Sequence, residues 1–135
     1  MLILTIRTDK PEAELGLYDD QGRIAYDAWL AHRQLAETIH AHIEKLVADA
    51  GCVLKDISGI VFFEGPGSFT GLRIGASVAN ALAYSFEIPI VATGESDDAK
   101  ISWVSAGVQK LLQGKSDSVA LPVYGAAATV TKPKK

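Results

Sequence analysis

Hydrophobic and polar residues change their period several times along this chain, and each change marks an element. Leu2 to Arg7 alternates weakly between apolar and polar positions and reads as a first strand. Asp9-Lys10-Pro11 interrupts it. Ala13 to Tyr18 reads as a second strand. Asp19-Asp20-Gln21-Gly22 is a hairpin turn, because Asp and Gly adopt turn conformations cheaply. Arg23 to Trp29 reads as a third strand, and three strands in succession make an antiparallel meander. From about Arg33 to Gly51 the period lengthens to that of a helix. Leu35, Ile39, Ile43, Leu46, Val47 and Ala50 fall within one stripe, and Gly51 ends it. Ile57 to Phe63 is a continuous apolar run and reads as a buried fourth strand. A glycine-rich turn follows, and then an Ala-rich helix, Ala76 to Phe86. Pro89-Ile90-Val91 is a short fifth strand. Asp97 to Gln113 reads as a third helix, capped near Ser96 and ended by Gly114, and Val119 to Tyr124 is a candidate for one last strand.

The order βββαβαβα predicts an α/β chain of the ribonuclease-H-like (actin-like ATPase) class: a single lobe built on a mixed five-stranded sheet. The lobe is expected over 1–124. The tail, 125–135, is small, polar and basic, and is expected to lie free of the core. No internal repeat is visible. With 135 residues the chain is long enough for one domain with a real core, and 48% hydrophobic residues against 21% charged fit a globular protein. The net charge of −3 disfavours broad nucleic-acid binding through the folded surface. Basic residues cluster at the end, as Lys132, Lys134 and Lys135, so nucleic-acid binding by the isolated chain is expected to be weak, salt-sensitive and carried by the tail. One cysteine, Cys52, leaves no intrachain disulfide. The apolar start is short and meets Arg7 at once, unlike a signal peptide, and no run approaches the roughly 20 residues needed to span a membrane. A cytoplasmic location is the expectation.

The stretch Gly65-Pro66-Gly67-Ser68-Phe69-Thr70-Gly71-Leu72-Arg73-Ile74-Gly75 is the most informative segment. A glycine-rich turn between strand and helix is where backbone amides gather, so Gly65, Gly67, Ser68 and Thr70 are the candidate cofactor-binding positions, for a phosphate. It is not a Walker A loop, since the Lys-Ser/Thr ending is missing and Arg73 stands in the helix instead. Ser68 or Thr70 can cap the helix start. Gly71, Gly75, Ala79 and Ala83 recur every four residues, with Ala76 beside them. This stripe either forms a shallow groove for another helix or lies against the chain's own sheet. Ser68 is not in a nucleophile elbow. His32, His40 and His42 lack metal-ligand spacing and read as solvated helix surface. Glu64 could meet a substrate, but pairing with Arg73 is the simpler reading. Trp29 and Trp103 read as core or partial-core aromatics. No catalytic or metal-ligating residue is assigned.

Residues 65–75 match the signature of the TsaB/YeaZ family, bacterial subunits for threonylcarbamoyladenosine synthesis on tRNA. The similarity extends through Ala48-Asp49-Ala50-Gly51, Ile57-Ser58-Gly59-Ile60, Ala81-Leu82-Ala83 and Ile88-Pro89-Ile90-Val91, and covers most of residues 1–100. The resemblance implies an actin-like fold and a non-catalytic role beside a homologous enzyme, TsaD, which carries the metal and performs the transfer. It also implies that helices of the first lobe form the pairing surface. The expected interface residues are Phe69, Gly71, Leu72, Arg73, Gly75, Ala76, Ala79 and Ala83. A TsaD-like subunit is the expected partner, a TsaE-like ATPase a further one, and a second copy of this chain the alternative. No intrinsic cofactor is expected, and nucleotide only at the interface with a partner.

Three positions depart from the family. Arg7-Thr8-Asp9 stands where the family usually has Asp-Thr-Ser, which argues against catalysis. Leu35-Ala36-Glu37 replaces a common His-Ser-Glu. Leu121-Pro122-Val123-Tyr124 resembles the family's closing strand, so the second lobe reads as largely absent. The rival readings are a small nucleotide-binding or peptidase-like enzyme that uses the glycine-rich turn, and a self-associating module without a tRNA role.

Overall fold

A sheet of five strands in the order β3-β2-β1-β4-β5 organises the computed structural model, which describes residues 1–95 and 102–123. β1 (Ile3–Arg7), β2 (Glu12–Asp19) and β3 (Gly22–Leu30) form the antiparallel meander. The hairpin turn falls where Asp-Asp-Gln-Gly predicts it, with Gly22 at φ 123° and the Gln21 amide donating to Asp19 Oδ1. β4 (Gly59–Phe63) lies parallel to β1, and β5 (Ile90–Thr93) parallel to β4. The mixed five-stranded sheet is the one expected from the sequence.

Side chains that alternate along β1 and β4 separate two cores. Leu4, Ile6, Ile60 and Phe62 point to the face covered by α1 (Leu35–Asp49) and α2 (Phe69–Phe86). Ile3 and Val61 point to the opposite face, where Leu111 of α3 (Trp103–Leu112) packs on them. Being covered on both faces explains why β4 is an unbroken apolar run with every residue buried. The five stripe residues on α1 are all buried, each large one contributing about 1.5–3 kcal/mol before entropy is set against it, and the sixth, Ala50, is the residue that caps its end. Gly51 (φ 77°) follows α1 and Gly114 (φ 78°) follows α3, as the sequence predicts for helix ends.

Three boundaries differ from expectation. α2 starts at Phe69, seven residues before Ala76, because Ser68 caps it by accepting from the Gly71 amide. The glycine-rich turn is therefore only 64–68, and 69–75 is helix. α3 is capped by Ser102, whose hydroxyl accepts from the Ser105 amide at 3.1 Å. The cap at Ser96 and helix from Asp97 to Ile101 lie outside the described residues, as do Tyr124 and the tail 125–135. Residues 119–123 form no strand. The edge of β5 that such a strand would pair with is occupied by side chains. Ser116 Oγ accepts from the Ile90 amide and Asp117 Oδ2 from the Ala92 amide, leaving a single bridge between Ile90 and Asp117. Asn80 instead holds this segment, its side chain bonding both the Ala120 amide and carbonyl at 2.8 Å.

Candidate functional site

The N-terminal half of α2 sits against the end of β1, and its glycines explain how. A Cβ on Gly71 would overlap the Thr8 carbonyl, and one on Gly75 would overlap the Thr8 hydroxyl. Thr8 Oγ1 donates to the Gly71 carbonyl at 2.7 Å. Leu72 and Ala79 are fully buried, and Gly75, Ala76 and Ala83 are buried as well. The small-residue stripe therefore packs on the chain's own sheet and on the loop after β1. It is not an open groove for a second helix: close packing on Thr8 and Phe62 has already filled it. Of the eight expected interface residues, Phe69 and Arg73 stand out in solvent and Gly71 is half-buried. The Arg73 guanidinium carbon lies 5.2 Å from the Phe69 ring centre.

The candidate cofactor positions serve the same junction. Gly67 has no room for a side chain because Asp9 lies against it, and the Ser68 amide donates to the Asp9 carbonyl at 2.9 Å. Gly65 takes φ 107°, with Val123 and Leu72 against it. Thr70 is exposed and faces outward between α1 and α2.

At the end of β1, Arg7 and Asp9 form a bidentate pair, with Nε to Oδ1 at 2.8 Å and Nη2 to Oδ2 at 3.2 Å. Their side chains are only 16% and 7% exposed, which makes this a largely buried pair. The guanidinium lies 4.0 Å above the Phe63 ring and reaches Glu95 at 3.6 Å. Burial alone would lower the Arg7 pKa. The hydrogen bond and charge of Asp9, with Glu14 and Glu95, outweigh burial and raise it. Arg7 is thus a locked cation that ties β1 to the loop on which the glycine-rich turn rests.

Between α1 and α2 runs an open furrow made of two adjoining cavities of about 430 and 370 Å³, which share Thr70 and Ile74. Ala36 and His40 come from α1, and Arg73, Ser77 and Val78 from α2. Lys10 and Pro11 of the β1–β2 loop, with Ala31 and Arg33, close the other end. Lys10, Arg33, His40 and Ile74 were not singled out for this surface by the sequence reading. The signal for His40 and Ile74 was the i, i+4 spacing of Ala36 with His40 and of Thr70 with Ile74, which places each pair on one helix face; no local pattern brings Lys10 and Arg33 to this surface.

The remaining candidates resolve into structural roles. Glu64 and Arg73 do not pair among the described residues; the Glu64 backbone bridges Thr93 and Val123. His42 is not simply solvated. Its ring stacks on Trp29 at 3.8 Å, and Nδ1 meets Asp27 Oδ2 at 2.6 Å. Trp29 also donates to Thr38 Oγ1 at 3.1 Å, and Trp103 packs edge-on against Phe63 at 5.5 Å. No cluster of three metal-ligating side chains occurs among the described residues. Among them, no helix is long and apolar enough to cross a membrane.

Comparison with known proteins places this geometry. Residues 29–94, from the end of β3 through β5, match the family model described as "TsaD: tRNA N6-adenosine threonylcarbamoyltransferase". The chain is 30% identical over 113 residues to the tRNA threonylcarbamoyladenosine biosynthesis protein TsaB of Escherichia coli, an alignment covering 83% of this chain and 48% of that protein. The solved structure of YeaZ from Pseudomonas aeruginosa superposes with a TM-score of 0.65 at 26% identity, over 70% of this chain and 44% of that one. Thermus thermophilus RuvC, solved with a Holliday junction, shares the fold alone, at 12% identity and a TM-score of 0.53, over 87% of this chain and 82% of that one. The sheet order and these neighbours make the fold a ribonuclease-H-like lobe. The chain spans about half the length of the E. coli relative. Over the part that it spans, this chain is similar in sequence and in fold to proteins of the TsaB/YeaZ family.

Proposed function

We propose that this chain is a non-catalytic scaffold subunit. It pairs with a TsaD-like enzyme in threonylcarbamoylation of adenosine in tRNA, with a TsaE-like ATPase as a further partner. The observation that carries the reading is the α1–α2 furrow, which brings Ser68, Thr70 and Arg73, exposed residues of the 65–75 signature, into one open surface with α1. A segment so specific in sequence, with Phe69 and Arg73 outside and Gly65 and Gly75 buried, suits a docking edge better than a catalytic pocket. The Arg7–Asp9 pair supports the non-catalytic part, because a locked cation stands at the strand end where an actin-like enzyme needs a free acid. The chain binds no cofactor of its own, meets nucleotide only at the partner interface, binds tRNA weakly alone, and works in the cytoplasm.

Co-expression with the TsaD-like protein of the same organism tests this. The two are expected to co-migrate on gel filtration at about 10 µM, well above the Kd of an ordinary specific pair. The chain alone is expected to show no ATPase or peptidase turnover. Separate elution of the two proteins, or turnover abolished by Ser68→Ala or Glu64→Ala, contradicts the proposal.

A further inference from the structure

We infer that the outer edge of β5 is a strand-pairing surface for a second copy of this chain, held shut in the intact molecule by a strap formed by residues 115–123. The inference does not depend on the scaffold reading above.

The end strands of an open sheet turn a row of backbone groups outward, and an unpaired row invites another strand. β3 carries its own defence. Its register with β2 shifts between Leu17 and Tyr18, and Arg23 and Asp27 place charges along it. β5 has neither device. Ile90-Val91-Ala92-Thr93 is uncharged, and its register with β4 is unbroken. The Pro89 and Thr93 carbonyls accept from the Ile60 and Glu64 amides, so the groups of Ile90 and Ala92 turn to the other side. That outward row is two amides and two carbonyls. The strap occupies both amides and one carbonyl. The Ile90 amide donates to Ser116 Oγ at 3.3 Å, the Ala92 amide donates to Asp117 Oδ2 at 2.8 Å, and the Ile90 carbonyl accepts from the Asp117 amide at 2.7 Å.

Polar contacts at a few points hold the strap in place. Every residue from Lys115 to Val119 is exposed, and Ala120 is the one buried residue of 115–123. Asn80 grips Ala120 from α2. Its Oδ1 accepts from the Ala120 amide and its Nδ2 donates to the Ala120 carbonyl, each at 2.8 Å. The Val123 amide donates to the Glu64 carbonyl at 2.6 Å. With so little apolar surface buried, the strap opens by local unfolding while the sheet behind it stays intact. Opening frees the row on Ile90 and Ala92. The β5 edge of a second copy fits that row, because two identical uncharged strands rich in β-branched residues pair about a two-fold axis without like charges meeting.

Hydrogen–deuterium exchange and sedimentation of the full chain alone test this. Asn80→Asp keeps the size of the side chain but sets a carboxylate against the Ala120 carbonyl, which releases the strap. At about 10 µM the Ile90 and Ala92 amides of this variant are expected to exchange about tenfold faster than in the wild type, while those of β4 stay within about threefold. At about 500 µM the variant is expected to dimerise and protect the same two amides again, whereas wild-type exchange at β5 does not depend on concentration. Ser116→Ala with Asp117→Ala removes the strap's contacts at exposed positions and is expected to give the same result, which covers an Asn80→Asp chain that does not fold. Exchange at β5 that is unchanged in both variants overturns the inference. So does faster exchange with no dependence on concentration, because the freed edge then pairs with nothing. Dimerisation that leaves the Ile90 and Ala92 amides fast to exchange overturns it as well, by placing the contact elsewhere.

Discussion

Ala79→Arg is expected to yield a chain that does not fold. Ala79 is fully buried in the core beneath α2, on the helix face pressed against the sheet. A guanidinium there meets no carboxylate and displaces packed side chains. Burying an unpaired charge and overfilling a close-packed core together cost several kcal/mol at least, comparable to the roughly 5–15 kcal/mol that holds an ordinary domain together. Ser77→Arg, two residues away and exposed in the furrow, is expected to fold normally. Circular dichroism and gel filtration of the two variants separate the faces of α2. A folded Ala79→Arg would mean that the small-residue stripe is open after all.

Arg7→Ala is expected to destabilise the protein by about 2–4 kcal/mol, because it leaves the Asp9 carboxylate buried without its partner. Removing both, Arg7→Ala with Asp9→Ala, is expected to recover part of that loss, since no orphaned charge remains. Urea unfolding of the four proteins of this cycle gives the coupling directly. The effect reaches further than stability. Asp9 lies against Gly67 and accepts from the Ser68 amide, and Ser68 caps α2. Loosening Asp9 therefore loosens the start of the helix that carries Phe69, Thr70 and Arg73, and partner binding is expected to weaken along with it. Equal stability of Arg7→Ala and wild type would show the pair to be incidental.

Much of this fold can be read directly from residue patterns, and the failures have physical causes. β4 is legible because a strand covered on both faces is apolar throughout, and α1 because its stripe faces a single core. The hairpin and the helix-ending glycines are legible because positive φ favours Gly. The start of α2 is hidden because Gly71 and Gly75 are poor helix formers, kept there by close approach to Thr8. Nothing local in the sequence reports that contact, since Thr8 lies 63 positions from Gly71. The same long-range contact decides which way the small-residue stripe faces, so spacing alone left two readings open. The signature segment is legible as a unit, but its division into the buried Gly65 and Gly75 and an outward Phe69–Arg73 edge depends on the sheet behind it. The furrow's other wall comes from α1 and the β1–β2 loop, which only tertiary structure brings alongside.

The central claim, that the face between α1 and α2 is where a TsaD-like enzyme docks, is tested most directly by hydrogen–deuterium exchange on the chain with and without that enzyme. Protection is expected over 33–40 and 69–77, with the edge strand β3 unchanged. Protection confined to β3 or to α3, with 69–77 exchanging as in the free chain, would contradict it.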